Sequence, residues 1–162
     1  MAIDTVEYLP IGRILSPFTK ATGMPIQPSA AKGVQGRVVI QAQFQSGLKD
    51  LDGFSHLILL YHFDRVEEYK LTVTPFLDDQ ERGVFATRAP LRPNPIGLSV
   101  VKLLKIQGNV LEIENVDVLD QTPLLDLKPY VPYFDRPERV RAGWIDRVKD
   151  EVKDKRSDER FS

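Results

Sequence analysis

Apolar residues recur at every second position in several short stretches of the chain, not at the three- and four-residue spacing of a helix, and that period predicts strands. Residues 37–44 (RVVIQAQF) alternate with β-branched side chains, and residues 8–15 (YLPIGRIL) form a shorter apolar segment closed by Ser16-Pro17. The most apolar run, residues 54–63 (FSHLILLYHF), lies between Asp52-Gly53 and Asp64-Arg65. Its length and aromatic content predict a strand buried on both faces. Residues 71–76 (LTVTPF) and 84–86 read as further short strands around the polar connection 77–83, and residues 45–51 as a single helical turn. Residues 98–107 and 110–119 flank Gly108-Asn109, the clearest hairpin signal in the chain. Short strands with few helices predict a mainly β domain, either a barrel or a sandwich; periodicity alone does not separate them.

Three proline-bearing stretches interrupt this pattern. Residues 16–36 carry Pro17, Pro25 and Pro28 with Gly23, Gly33 and Gly36 and show no period, which predicts a long loop; Met24 and Ile26 within it argue that the loop docks. In residues 83–101 (GVFATRAPLRPNPIGLSVV), Pro90, Pro93 and Pro95 each remove an N–H donor and bias the preceding residue toward extended geometry. A stiff irregular loop is expected there, presenting Arg88, Arg92 and Asn94, a set suited to a small polar ligand. The third stretch, residues 120–135 (DQTPLLDLKPYVPYFD), carries Pro123, Pro129 and Pro132. It predicts a second rigid loop bearing Asp126, Lys128 and Tyr130, with both loops converging at one end of a barrel.

His56 and His62 lie six residues apart, so on a strand they share a face. His62, at the strand end, is the better candidate for a site. Beyond residue 136 charges of both signs dominate, with Trp144 and Ile145 as anchors; residues 5–146 are expected to form the domain and residues 147–162 a solvated or fraying tail. Lys149, Lys153, Lys155 and Arg156 in that tail are candidate RNA contacts.

Composition narrows the field of functions. At 162 residues, 42% hydrophobic and 28% charged, the chain suits one well-buried core. The absence of cysteine removes disulfides and thiolate chemistry, and two histidines are too few for an imidazole metal site, so no metal is expected. A net charge of −1 leaves no global electrostatic footprint for nucleic acid, so any RNA contact must be local. An acidic residue stands where a signal peptide would place lysine or arginine, and no apolar run reaches the length of a membrane span. A cytoplasmic protein is expected.

Four segments together resemble one known family: GMPIQP, DGFSHLILLYHF, TRAPLRPNPIGLS and TPLLDLKPYVPYFD, in that order over roughly residues 11–135, resemble the TsaA-like (TrmO-like) family. The resemblance implies a compact antiparallel β-barrel that binds S-adenosylmethionine, tends to form homodimers and methylates N6 of threonylcarbamoyl-adenosine at position 37, in the anticodon loop of tRNA. By motif, the methyl-donor pocket is expected from Pro25, Ile26, Gln27, His62, Phe63, Arg88, Leu98, Thr122, Pro123, Leu124 and Leu125. Asp126 is the expected base, with Tyr130 or His62 in its place; Arg92, Asn94 and Lys128 would hold the acceptor, and Tyr130 or Tyr133 would stack a splayed base. A methyltransferase for another substrate, or a barrel that binds an adenosyl ligand as a sensor, would use the same donor residues. One departure stands out: Gln121 occupies the place of the glycine in the family's common DGTP pattern, where a side chain would narrow the pocket.

Overall fold

The computed structural model describes residues 4–161. Its strands are β1 (Gly12–Leu15), β2 (Gln35–Ile40), β3 (His56–His62), β4 (Thr72–Val73), β5 (Arg82–Gly83), β6 (Ile96–Gln107), β7 (Val110–Glu114) and β8 (Thr122–Pro129). Six of them close into an antiparallel barrel in the order β1-β2-β7-β6-β3-β8, while β4 and β5 pair with each other outside it. Closure leaves the barrel no open edge strand. The mainly β barrel expected from the chain is the fold observed.

The period of two is what fills the barrel. Ile14 from β1, Val38 and Ile40 from β2, Leu57, Leu59 and Tyr61 from β3, Val101 from β6, Leu111 and Ile113 from β7 and Leu124 from β8 are all buried in one cluster. Val116 and Val118, just past β7, extend it. The β6–β7 hairpin turns at Gly108, whose φ of 61° with no positive φ at Asn109 fits a type II′ turn. Asn109 then fastens the turn to the next strand, its Nδ2 donating to the Ile40 carbonyl at 2.6 Å.

Several expectations are corrected. Only alternate residues of β3 are buried; His56, Ile58, Leu60 and His62 are half-exposed on the outer face, so this strand is not buried on both sides. Residues 84–86 form a 3-10 turn, and the strand is instead the preceding Arg82–Gly83, paired with Thr72–Val73. The strand expected over 110–119 stops at Glu114 because Asn115 adopts a left-handed φ of 70°. Most consequentially, the third proline stretch is no loop: β8 runs through it, paired with both β1 and β3. Its prolines are tolerated because Pro129 ends the strand and β3 begins pairing only at Leu124, one residue after Pro123. A bulge there sets Tyr61 against Leu124 and Leu60 against Asp126, leaving Leu125 as the extra residue.

Trp144 anchors as expected, its Nε1 donating to the Ala86 carbonyl at 2.8 Å, whereas the tail 147–162 does not simply fray: Phe161 packs on a second small core of Val73, Val84 and Ala89. No helix among the described residues is long and apolar enough to cross a membrane.

Candidate functional site

Two loops meet above the barrel. The first descends from β1 and reaches Gln27, extended at φ −151° just before a 3-10 turn at Pro28–Ala30. The second is the stretch after β5, where Arg88 reaches across to donate from Nη1 to the Gln27 Oε1 at 3.1 Å. Residues 61 positions apart in sequence are thereby paired. Pro25 is buried and Ile26 half-buried beside them, while Arg88 is exposed.

Arg92 ties the second loop together in addition to its prolines. One terminal nitrogen of Arg92 donates to the carbonyls of Val84 (3.0 Å), Thr87 (2.8 Å) and Ala89 (3.3 Å), and its guanidinium lies over the Phe85 ring at 5.8 Å. Thr87 Oγ1 adds a bond to the Val84 carbonyl at 2.8 Å and accepts from the Ala89 N–H at 3.2 Å. Arg92 thus fixes the backbone that carries Arg88. Asn94 is exposed in the same loop, its carbonyl accepting from the Ile96 N–H at 2.7 Å.

Beneath the loops lies a polar group that sequence reasoning passed over. Tyr61, Ser99 and Asp117 are joined in a chain: the tyrosine hydroxyl is 3.0 Å from Ser99 Oγ, which donates to Asp117 Oδ1 at 2.6 Å. Burial pushes the Asp117 carboxyl up to about 6, against the downward pull of the Ser99 hydroxyl, its own backbone N–H and the nearby Arg88 charge. Burial, and then the neighbouring Asp117, raises the Tyr61 hydroxyl well above its ordinary value. Gly97 makes the arrangement possible, because a Cβ there would stand 2.2 Å from Tyr61 Cε2, so the ring lies flat across the glycine of the paired strand. The sequence signal was an aspartate between Val116 and Val118, both buried, and a glycine opposite an aromatic across two strands.

The remaining donor-pocket candidates gather at this same end. His62 and Phe63 close β3, Leu98 sits near the start of β6, and Thr122, Pro123, Leu124 and Leu125 open β8, on three adjacent strands. Phe63 is locked by its N–H to the Pro95 carbonyl at 2.8 Å and by edge packing on Tyr61 at 5.4 Å. Thr122 is buried, its hydroxyl donating to Leu119, and Leu124 points into the core. His62 and Leu98 face outward instead.

The acceptor-side candidates divide. Asp126 and Lys128 face outward on β8 as an ion pair at 2.7 Å, with Asp126 opposite Leu60, two residues from His62. Tyr130 stands at the other end of β3, where its N–H donates to the His56 carbonyl at 3.0 Å and its ring meets His56 edge-on at 6.4 Å. Six strand residues separate His56 from His62, roughly 20 Å at the usual rise. Within one chain, Tyr130 is therefore not brought to the Gln27–Arg88 end.

Position 121 has a plain backbone explanation. Gln121 holds a left-handed φ of 65°, the conformation glycine adopts without penalty. Its side chain is exposed and lines a surface depression with Leu15–Pro17 and Gln35–Arg37. Its carbonyl accepts from Arg13 Nη1 at 2.8 Å.

A closed antiparallel barrel whose sequence-distant loops meet over a part-buried Tyr–Ser–Asp chain defines a class of small β-barrel proteins with a polar site at one end. Comparison identifies which one: the tRNA-methyltransferase O N-terminal domain model matches residues 13–136, and the chain belongs to that family. It is 53% identical over 154 residues to a probable S-adenosyl-L-methionine-binding protein from Pyrococcus abyssi, covering 95% of this chain and 84% of that one. It is 37% identical over 138 residues to the mouse tRNA (adenine(37)-N6)-methyltransferase, covering 81% of this chain and only 32% of the mouse protein. The crystal structure of TrmO from Pseudomonas aeruginosa superposes with a TM-score of 0.74 at 37% identity, over 87% of this chain and 63% of that one. The chain thus spans less than two thirds of the length of the solved TrmO chain and about a third of the mouse relative.

Proposed function

We propose that the chain is an S-adenosylmethionine-dependent methyltransferase acting on N6 of threonylcarbamoyl-adenosine 37 in the anticodon loop of tRNA. The observation that carries this reading is the Gln27–Arg88 pair, which joins two separate family segments at one place. Names of relatives support it: the Pyrococcus protein is named for binding S-adenosylmethionine and the mouse protein for methylating adenine 37 of tRNA.

The residues present fit the donor. Arg88 is an exposed cation with a single hydrogen-bond partner among the described residues, suited to a charge-assisted contact with the amino-acid carboxylate. Ile26, Phe63 and Leu125, all half-buried, and the exposed Leu98 offer apolar surface for adenine, and Gln27 an amide for its edge. His62 and Pro123 complete the walls, backed by the buried Pro25, Thr122 and Leu124. When bound, S-adenosylmethionine supplies an electrophilic methyl group, whose transfer to nitrogen leaves S-adenosylhomocysteine and one proton to be taken up.

The protein's own task is alignment and proton removal. Loops fixed by Arg92 and by the Phe63–Pro95 bond hold the donor residues in one geometry, the kind of positioning that lowers a displacement barrier without a covalent intermediate. Asp126 is the base in this reading, since it lies on the outer face two residues from His62, whereas Tyr130 sits about 13 Å further along the barrel. Lys128 and Asn94 would meet the acceptor's carboxylate or phosphates, with Arg92 restricted to the donor nitrogens it does not give to its own loop. Tyr133, 95% exposed on the short helix α1 (Pro132–Asp135), offers a stacking surface for a splayed base.

Outward-facing Leu60, Ile96 and Leu98 form an apolar strip across β3 and β6, paired as Leu60–Leu98 and His62–Ile96. We propose that a second copy of the chain packs on the Leu60–Ile96 part of this strip as a homodimer, and sedimentation of the Ile96→Glu variant as a monomer is the check.

Methyl incorporation from labelled S-adenosylmethionine into tRNA with and without the threonylcarbamoyl group tests the reaction. Incorporation into the modified tRNA alone is expected. A chain that binds donor yet labels neither tRNA would refute the substrate and favour a binding-only barrel.

A further inference from the structure

We infer that the C-terminal tail is a strap that fixes both donor-site loops, with Ser157 as its positioning residue; the functional part of this inference rests on the donor reading above. Ser157 makes a local bridge to the first loop. Its N–H donates to the Met24 carbonyl at 2.9 Å, its carbonyl accepts from the Gly23 N–H at 2.8 Å, and its Oγ accepts from the Met24 N–H at 2.8 Å. The same hydroxyl donates to the Ala21 carbonyl, and Arg156 pairs with Pro25 as an isolated antiparallel bridge. Gln27 follows two residues later.

The tail then reaches the second loop. Arg160 Nη1 donates to the Pro75 carbonyl at 2.6 Å, while Asp158 holds the guanidinium through an ion pair at 2.7 Å and Phe76 lies under it at 5.4 Å. Phe161 meets Phe76 edge-on at 4.9 Å and packs against Val73, Val84 and Ala89. Val84 and Ala89 are the residues whose carbonyls Arg92 holds, and Arg88 lies between them.

One exposed amide–guanidinium bond is too little to order two irregular loops against their conformational entropy. The strap adds the missing constraints at both roots of the Gln27–Arg88 pair. It lies wholly beyond residues 13–136, the segment matched by the family model, so this chain supplies the constraint from its own tail. Preordering a pocket raises affinity without adding a ligand contact.

The test uses the full chain with Ser157→Ala, Ser157→Thr and Phe161→Ala. Titration with S-adenosylhomocysteine is expected to show about fivefold weaker binding for Ser157→Ala, which loses the hydroxyl's bonds to Met24 and Ala21. Ser157→Thr, which keeps the hydroxyl, should restore it, and Phe161→Ala should weaken it from the other end. Methyl transfer at saturating donor should change less than twofold, and amide exchange at Met24 should accelerate in Ser157→Ala. Unchanged affinity in both alanine variants, or unchanged exchange at Met24, overturns the strap. Failure of the parent chain to bind S-adenosylhomocysteine overturns the donor reading instead, while exchange at Met24 still decides whether the strap orders the loop.

Discussion

Replacing Asp117 with asparagine should make the protein more stable at neutral and alkaline pH, although it removes a charge that accepts a 2.6 Å hydrogen bond. Burial holds this carboxyl at about 6 in the fold, against 3.8 ordinarily. Below pH 3.8 the group is protonated in both the folded and the unfolded chain and contributes no difference. Between 3.8 and about 6 the native state keeps a proton that the unfolded chain has released, so stability falls as pH rises. Above about 6 the whole cost is present, about 3 kcal/mol from the gap between the two values. Asparagine presents the same Oδ1 acceptor to Ser99 without the charge. Thermal unfolding of Asp117→Asn at pH 8 should therefore give a Tm higher by roughly 6–12 °C, taking about 2–4 °C per kcal/mol for a domain of this size. At pH 4 the two proteins should unfold within a few degrees of each other. A variant no more stable than the parent at pH 8, or one whose advantage is unchanged at pH 4, would show that burial of the charge is not what sets the carboxyl's pKa.

Two further substitutions probe the same framework. Gly97→Ala places a methyl 2.2 Å from the Tyr61 ring, so the ring must leave Ser99; a loss of about 1–3 kcal/mol in denaturant midpoint analysis is expected, and an unchanged midpoint would mean the ring has another place to go. Gln121→Gly relieves a left-handed non-glycine backbone and should stabilise by about 1 kcal/mol, with donor affinity unchanged because the side chain lines a separate surface depression; tighter donor binding would instead place residue 121 at the pocket.

What the sequence made legible was local. The β6–β7 hairpin announces itself through a Gly-Asn pair between apolar runs, and β3 through its length and apolar content, although its one-sided burial did not show. Strand β8 escaped because Pro123 and Pro129 look prohibitive until register places Pro123 before the first β3 pair and Pro129 at the strand's last residue, where the next N–H, that of Tyr130, makes the bond to His56. The donor-site segments could be named by resemblance, but not the bond between Gln27 and Arg88, which depends on two loops closing over 61 residues. The Tyr61–Ser99–Asp117 chain was invisible for a similar reason: a tyrosine in an apolar run and a serine in a strand are unremarkable until register sets Tyr61 opposite Gly97. Trp144 and Ile145 were legible as anchors, but Phe161, one phenylalanine amid charges, gave no sign that the last turn docks as well.

Strand β8 pairs with β1 and β3 alike, so a nascent chain leaving the ribosome cannot finish its barrel until this late strand has emerged. From His62 to Thr122 is roughly 60 residues, about 3–12 s of synthesis at about 5–20 residues per second. Throughout that interval β1 and β3 each expose an edge that β8 will later cover. Expression yield should accordingly depend on translation speed and temperature more than the stability of the finished protein would suggest, with slow elongation after His62 prolonging the aggregation-prone window.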